Sequence, residues 1–232
     1  MDITKYDGSI NSWASLLGAS KTGEFENKNI KSSYRSIAWK VLCGLLPGNE
    51  PFQNWIKHTE ANRKRYDILR AEHIPDFSKS VSDPLSPLSD SGDGTVWTVY
   101  SQMSDLRAEI QRDLDRLFID GTVPEDYFMD SNRQQMMKTV LYIWSRMHYP
   151  LPSYRQGMHE LLAFILYVCE VDIQALSNEI KEDNENNEQL YKTLECLTDK
   201  DHLEADIFLL FESLMSDLLP WFKVMPTSSN KA

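Results

Sequence analysis

Tyr154-Arg155-Gln156-Gly157-Met158-His159-Glu160 leads directly into the longest unbroken apolar run of the chain, Leu161 to Cys169. Leu161, Leu162, Phe164, Ile165, Leu166 and Val168 point in nearly every direction around a helix, which predicts the central buried helix of an all-α fold. An amide side chain and a glycine stand at its mouth. A glutamine held just before a buried helix is rigid enough to position a water or a phosphate.

Outward from that run the helical period of three and four recurs, and no strand alternation competes with it. Toward the N-terminus, Ser32-Ser33 can cap a helix carrying Tyr34, Ile37, Ala38, Val41, Leu42 and Leu45, with Pro47-Gly48 as its stop. A second helix is expected from about Phe52 to His73, burying Trp55, Ile56, Tyr66 and Leu69. Ile74 to Gly94 breaks the pattern with Pro75, Pro84, Pro87, Gly92 and Gly94, a long surface loop of the kind that is functional or flexible. The next helix sets Leu106, Ile110, Leu114 and Leu117 on one face and Glu109, Arg112, Asp113 and Arg116 on the other. Asp130-Ser131 can cap a further helix whose inward face is Met137, Val140, Leu141 and Trp144, widened by Ile143 and Met147 and ended by Pro150 and Pro152. Asn178 to Glu188 is expected to be an acidic loop. A last helix places Ile207, Leu210, Phe211, Leu214 and Leu218 on one face and ends at Pro220-Trp221. No internal repeat is present, which disfavours a solenoid.

Composition narrows the function classes. A chain of 232 residues with 41% hydrophobic and 25% charged residues can bury a sizeable core. The net charge of -11 argues against nucleic acid or an anionic membrane surface as the main partner. Much of it is local, since Glu170 to Asp206 holds 12 Asp/Glu against 3 Lys. Cys43, Cys169 and Cys196 are widely spaced, without a Cys-x-x-Cys pair or a histidine at ligand spacing, and read as reduced intracellular thiols. The apolar run is far shorter than the roughly 20 residues of a membrane span, and Met1 to Ile10 has no signal-peptide core. A cytoplasmic protein without membrane insertion is the expectation.

Several chemistries are excluded by spacing. His159-Glu160 begins a zinc-protease pattern, but Ala163 stands where the second histidine belongs, so no metal site is expected. No Gly-x-x-x-x-Gly-Lys loop or dinucleotide fingerprint occurs, Gly92-Asp93-Gly94 reads as a turn, and no spacing suggests a catalytic triad.

Two residues keep two readings each. Arg116 can be a surface arginine paired with Asp113 at i,i+3, or a guanidinium that neutralises charge developing on transferred phosphoryl oxygens, held extended by Asp113. Gln156 can be an amide that caps local backbone groups, or one that orients an attacking water.

The combination Ile110-x-x-Asp113-x-x-Arg116 with Tyr154-x-Gln156-Gly157 resembles the two catalytic signatures of the TBC-domain family of Rab GTPase-activating proteins. Trp13 and Arg35-x-x-x-Trp39 are similar to the motif that opens such domains. The resemblance implies an N-terminal helical TBC subdomain occupying residues 1–232, with the likeness running from about Ser12 to Met225 and the family's second helical subdomain absent. It implies an activator that lends Arg116 and Gln156 as a dual finger to a Rab-family GTPase, with no hydrolase activity of its own. Arg35, Asp113, Tyr154 and Gly157 would be supporting residues, and GTP and magnesium would sit on the partner, leaving this chain without a cofactor. After Arg116 the family usually shows Thr-x-Pro, whereas this chain has Leu117-Phe118-Ile119.

More narrowly, Asp83-Pro84-Leu85-Ser86, Tyr154 to Ala163, and Glu204-Ala205-Asp206 leading to Pro220-Trp221-Phe222 resemble a branch of the family linked to endosomal sorting and the retromer coat. On that resemblance Pro84 and Leu85 are partner-binding residues and the protein is peripheral on endosomes. Proline presets an extended backbone, and one leucine can fill an apolar pocket at small entropic cost. The competing expectation is a non-catalytic helical module that binds a Rab or retromer.

Overall fold

The computed structural model describes residues 34–74, 95–119, 123–124, 126–148, 154–182 and 188–222. Helices are α1 Arg35–Leu42, α2 Trp55–His73, α3 Thr95–Leu114, α4 Ser131–Met147, α5 Met158–Glu182, α6 Glu188–Leu197 and α7 Leu203–Phe222. Short 3₁₀ turns occupy Phe52–Asn54, Tyr127–Met129 and Lys200–His202, and no strand occurs among the described residues. The fold is all-α. Its residues divide into two compact units, one formed by the chain up to Tyr66 with the chain from Leu161 onward, the other by Asp67 to Glu160.

In the first unit α1 buries Ile37 and Ala38 completely. It stops at Leu42, ahead of the expected Pro47-Gly48, because Gly44 turns left-handed with φ +71°. Gly44 N–H donates to the Val41 carbonyl at 3.0 Å and Leu45 N–H to the Lys40 carbonyl at 2.9 Å, a Schellman closure that satisfies the last carbonyls. Ser32-Ser33 lies outside the described residues, and Tyr34 occupies the N-cap position without a side-chain cap. The Trp55 indole, fully buried, donates to the Pro47 carbonyl at 2.9 Å. Around it Ile37, Leu46, Phe52, Leu176, Leu190, Leu194 and Leu197 close one core. Tyr66 packs on Phe208 of α7 with ring centroids 4.9 Å apart, and its hydroxyl donates to Glu204 at 2.7 Å.

Charge is buried inside the same unit. Lys40 Nζ donates to the Leu197 carbonyl at 2.7 Å and to Asp206 Oδ2 at 2.8 Å. Arg63 grips the same carboxylate with both ends of its fork, Nε to Oδ1 at 3.0 Å and Nη2 to Oδ2 at 2.8 Å. Burial pushes the Asp206 carboxyl up, but the two cations more than offset it and hold the group below the usual carboxylate range.

Two expectations change here. The acidic loop is narrower than Asn178–Glu188, since α5 continues through Glu182 and α6 starts at Glu188. Their Leu176, Leu190, Leu194 and Leu197 are core residues, so tertiary burial carries helices that the polar composition hid. Phe164 of α5 is 51% exposed and Leu161 only half-buried, so this helix has a solvent side instead of burying every face.

In the second unit α3 packs on α4. Lys138 Nζ donates to Gln111 Oε1 at 2.9 Å, and the Arg107 guanidinium lies 4.4 Å from the centre of the Tyr142 ring. Met137, Val140, Leu141, Ile143 and Trp144 are buried as their spacing requires. Asp130 caps α4, its carboxylate accepting from the Asn132 and Arg133 amides at 3.1 and 3.0 Å. Asp130→Ala is expected to cost about 1 kcal/mol in urea denaturation. An unchanged midpoint would show that solvent satisfies those amides equally well.

Candidate functional site

α3 delivers the first motif. Ile110 and Leu114 are fully buried and fix the helix face, and Leu117 stays buried beyond its end. The helix stops at Leu114, so Arg116 does not sit on its polar side as the periodicity suggested. Asp115 N–H still reaches the Gln111 carbonyl at 2.9 Å, while Arg116 and Leu117 N–H turn back to Asp113 and Leu114 at 3.2 Å. These three-residue bonds tighten the exit and release Arg116 into an exposed turn.

The second motif sits at the start of α5. Gly157 has φ +97°, a conformation an L-residue adopts only under strain. A Cβ there would meet no atom within 4 Å, so glycine is required by backbone conformation and not by crowding. The kink leaves Gln156 exposed and buries Met158, whose sulfur accepts from the Arg155 amide at 3.3 Å.

A hydrogen bond joins the two motifs. Tyr154 is buried, and its hydroxyl donates to Asp113 Oδ2 at 2.7 Å. Arg116 follows Asp113 by three residues and Gln156 follows Tyr154 by two, so both exposed side chains lie within a few residues of one fixed link. Asp113 thus acts differently from the expected Arg116 partner. Its carboxylate is engaged by Tyr154, and no ion pair joins it to Arg116 among the described residues.

His159, which the metal pattern dismissed, is the residue that sequence reasoning missed. It is buried, with Nδ1 2.8 Å from the Tyr154 hydroxyl and 3.8 Å from Asp113 Oδ2. Burial lowers its pKa, against the opposing pull of Asp113 and Glu160, which favours the neutral imidazole. Burial also raises the Tyr154 pKa, reinforced by the bond to Asp113, so the phenol keeps its proton.

Arg35 belongs to the other unit and serves its architecture. It pairs with the buried Asp172 at 3.1 Å, and the second carboxylate oxygen of Asp172 accepts from the Ser36 amide at 2.7 Å, satisfying the start of α1 from a distant helix. Pro84 and Leu85 lie outside the described residues. Among the described residues no His, Cys, Asp and Glu group is arranged to hold a metal ion, and no helix is long and apolar enough to cross a membrane. Arg116 and Gln156 are both exposed, and the segments that carry them are joined by the Tyr154–Asp113 bond.

Comparison with known proteins gives these residues a context. The chain is 35% identical over 198 residues to TBC1 domain family member 5 homolog B of Dictyostelium discoideum, covering 84% of this chain and 18% of that protein. It is 31% identical over 211 residues to TBC1 domain family member 5 of Homo sapiens, covering 88% of this chain and 25% of that protein. The chain thus spans at most about a quarter of the length of these curated relatives. No solved structure matches it. The model of the Rab-GTPase-TBC domain matches residues 32–225, and with its all-helical architecture the chain belongs to that family.

Proposed function

We propose that this chain accelerates GTP hydrolysis by a Rab-family GTPase, supplying Arg116 and Gln156 in trans. The single observation that carries the reading is the Tyr154–Asp113 hydrogen bond of 2.7 Å, which links the segments bearing the two exposed side chains. The guanidinium would neutralise charge on the transferred γ-phosphoryl oxygens, and the amide would accept from the attacking water while donating toward the phosphate. GTP and Mg²⁺ belong to the partner, so the chain needs no cofactor and hydrolyses nothing alone.

Single-turnover GTP hydrolysis with a panel of Rab proteins tests this. Acceleration of at least one Rab is the expected result. Rab binding with no acceleration would replace the proposal with a non-catalytic helical binding module.

The endosomal setting rests on the sequence likeness around Asp83-Pro84-Leu85, the Tyr154 motif and Pro220-Trp221-Phe222. On that reading the Pro84-Leu85 element binds retromer and recruits the protein from the cytoplasm to endosomes. Leu85→Glu would place a charge in the receiving pocket and is expected to eliminate retromer binding in calorimetry while leaving GTP hydrolysis unchanged. Undiminished affinity would remove Leu85 from the contact.

A further inference from the structure

The Tyr154 hydroxyl has two close neighbours and one proton. Asp113 Oδ2 at 2.7 Å is an acceptor only, so the phenol proton must point to it. The remaining contact, His159 Nδ1 at 2.8 Å, then has to donate, which fixes the imidazole with its proton on Nδ1. Nε2 carries no proton in the neutral ring and lies 3.9 Å from Glu160 Oε1, beyond hydrogen-bond distance. The result is a directed relay, imidazole to phenol to carboxylate. All three side chains are covered to a large degree: Tyr154 is 3% and His159 5% exposed, and the Asp113 side chain 19%.

Direction matters because in the other tautomer Nδ1 would be a second acceptor, toward which the phenol rotor could swing away from the carboxylate. A donor at position 159 fills a lone pair of the phenol oxygen, polarises its O–H bond toward Asp113 and so strengthens the 2.7 Å bond. Asp113 lies at the last turn of α3, and the Arg116 amide bonds back to its carbonyl at 3.2 Å. The relay therefore reaches the turn that carries the exposed arginine.

We infer that His159 is a positioning residue, its Nδ1–H locking Tyr154 onto Asp113 and so fixing the Arg116 turn relative to the Gln156 segment. The activity readout rests on the Rab GTPase-activating reading, and a spectroscopic readout is independent of it. His159→Leu removes the donor while keeping apolar volume. His159→Asn restores a donor, since its amide nitrogen occupies nearly the place of Nδ1, whereas His159→Gln carries its amide one bond too far.

In single-turnover GTP hydrolysis with the full-length protein, His159→Leu and His159→Gln are expected to lower the maximal rate about 10- to 100-fold with little change in Rab affinity. His159→Asn is expected to recover most of it. A wild-type maximal rate in His159→Leu overturns the inference. If the unmutated protein accelerates no Rab, the functional reading fails and the relay is judged by nuclear magnetic resonance alone. The ¹⁵N spectrum of His159 should then show a protonated Nδ1, and the Asp113 to Leu117 amides should shift and exchange faster in His159→Leu and return in His159→Asn. A protonated Nε2 with a bare Nδ1, or unmoved amides, overturns it.

Discussion

Arg116→Ala in the full-length protein is expected to lower the acceleration of Rab GTP hydrolysis by about 10³- to 10⁵-fold, the range an arginine finger supplies in GTPase systems. The magnitude follows from where the charge acts. In water a guanidinium and a phosphate oxygen attract weakly, but at a closed, water-excluded interface the same pair is worth several kcal/mol and needs no reorganisation at the moment of reaction. Gln156→Ala should cause a loss of similar order by removing the water-orienting amide. Neither change should disturb folding, since both side chains are exposed in turns and carry no core contact. Circular dichroism and thermal unfolding would verify that, and hydrolysis within a few-fold of wild type in both variants would end the dual-finger reading.

Asp206→Ala is expected to be strongly destabilising, at about 3 to 5 kcal/mol. The side chain answers Lys40 and Arg63 together, and its removal leaves two buried cations without a counter-charge. Against a typical domain stability of about 5 to 15 kcal/mol, much of the folded population would be lost. The pH dependence has a definite sign. The Asp206 carboxyl lies below its ordinary value in the folded state, so its contribution is fully present above the unfolded pKa of about 3.9 and is lost as pH falls through the folded value. Urea denaturation between neutral pH and pH 3 should show wild-type stability declining in the acid range more steeply than that of the variant. A loss below about 1 kcal/mol on substitution would mean that solvent reaches the cations.

Local chemistry was legible in the sequence and long-range chemistry was not. Asp130-Ser131 announced the α4 cap, and Met137, Val140, Leu141 and Trp144 announced its buried face, because both depend on neighbours within one or two turns. Gly44 carried a readable signal for the end of α1 that Pro47 obscured, since a left-handed glycine stops a helix before a later proline can. The α3 terminus had no such marker, so the periodicity ran on to Arg116 and Leu117 although the helix ends at Leu114. Nothing in the order of residues tells Lys40 or Arg63 that its counter-charge is Asp206, or Arg35 that its partner is Asp172. Motif spacing singled out Arg116, Gln156 and Gly157, and the structure adds that the first two are exposed and the third is left-handed. The Tyr154–His159 bond could not, because an imidazole shows its tautomer only once its neighbours are placed.

The Asp206 cluster also sets an order of events during synthesis. Lys40 and Arg63 precede their shared carboxylate by 166 and 143 residues, and the whole second unit is made in between. At about 5 to 20 residues per second, the ribosome leaves these cations waiting roughly 7 to 33 s for Asp206. For most of that interval α1 and the first turns of α2 have none of the α6 leucines that close their core. Residues 67–160 are thus made in full before α1 can meet the leucines of its core, and the first unit cannot close until α6 and α7 have emerged.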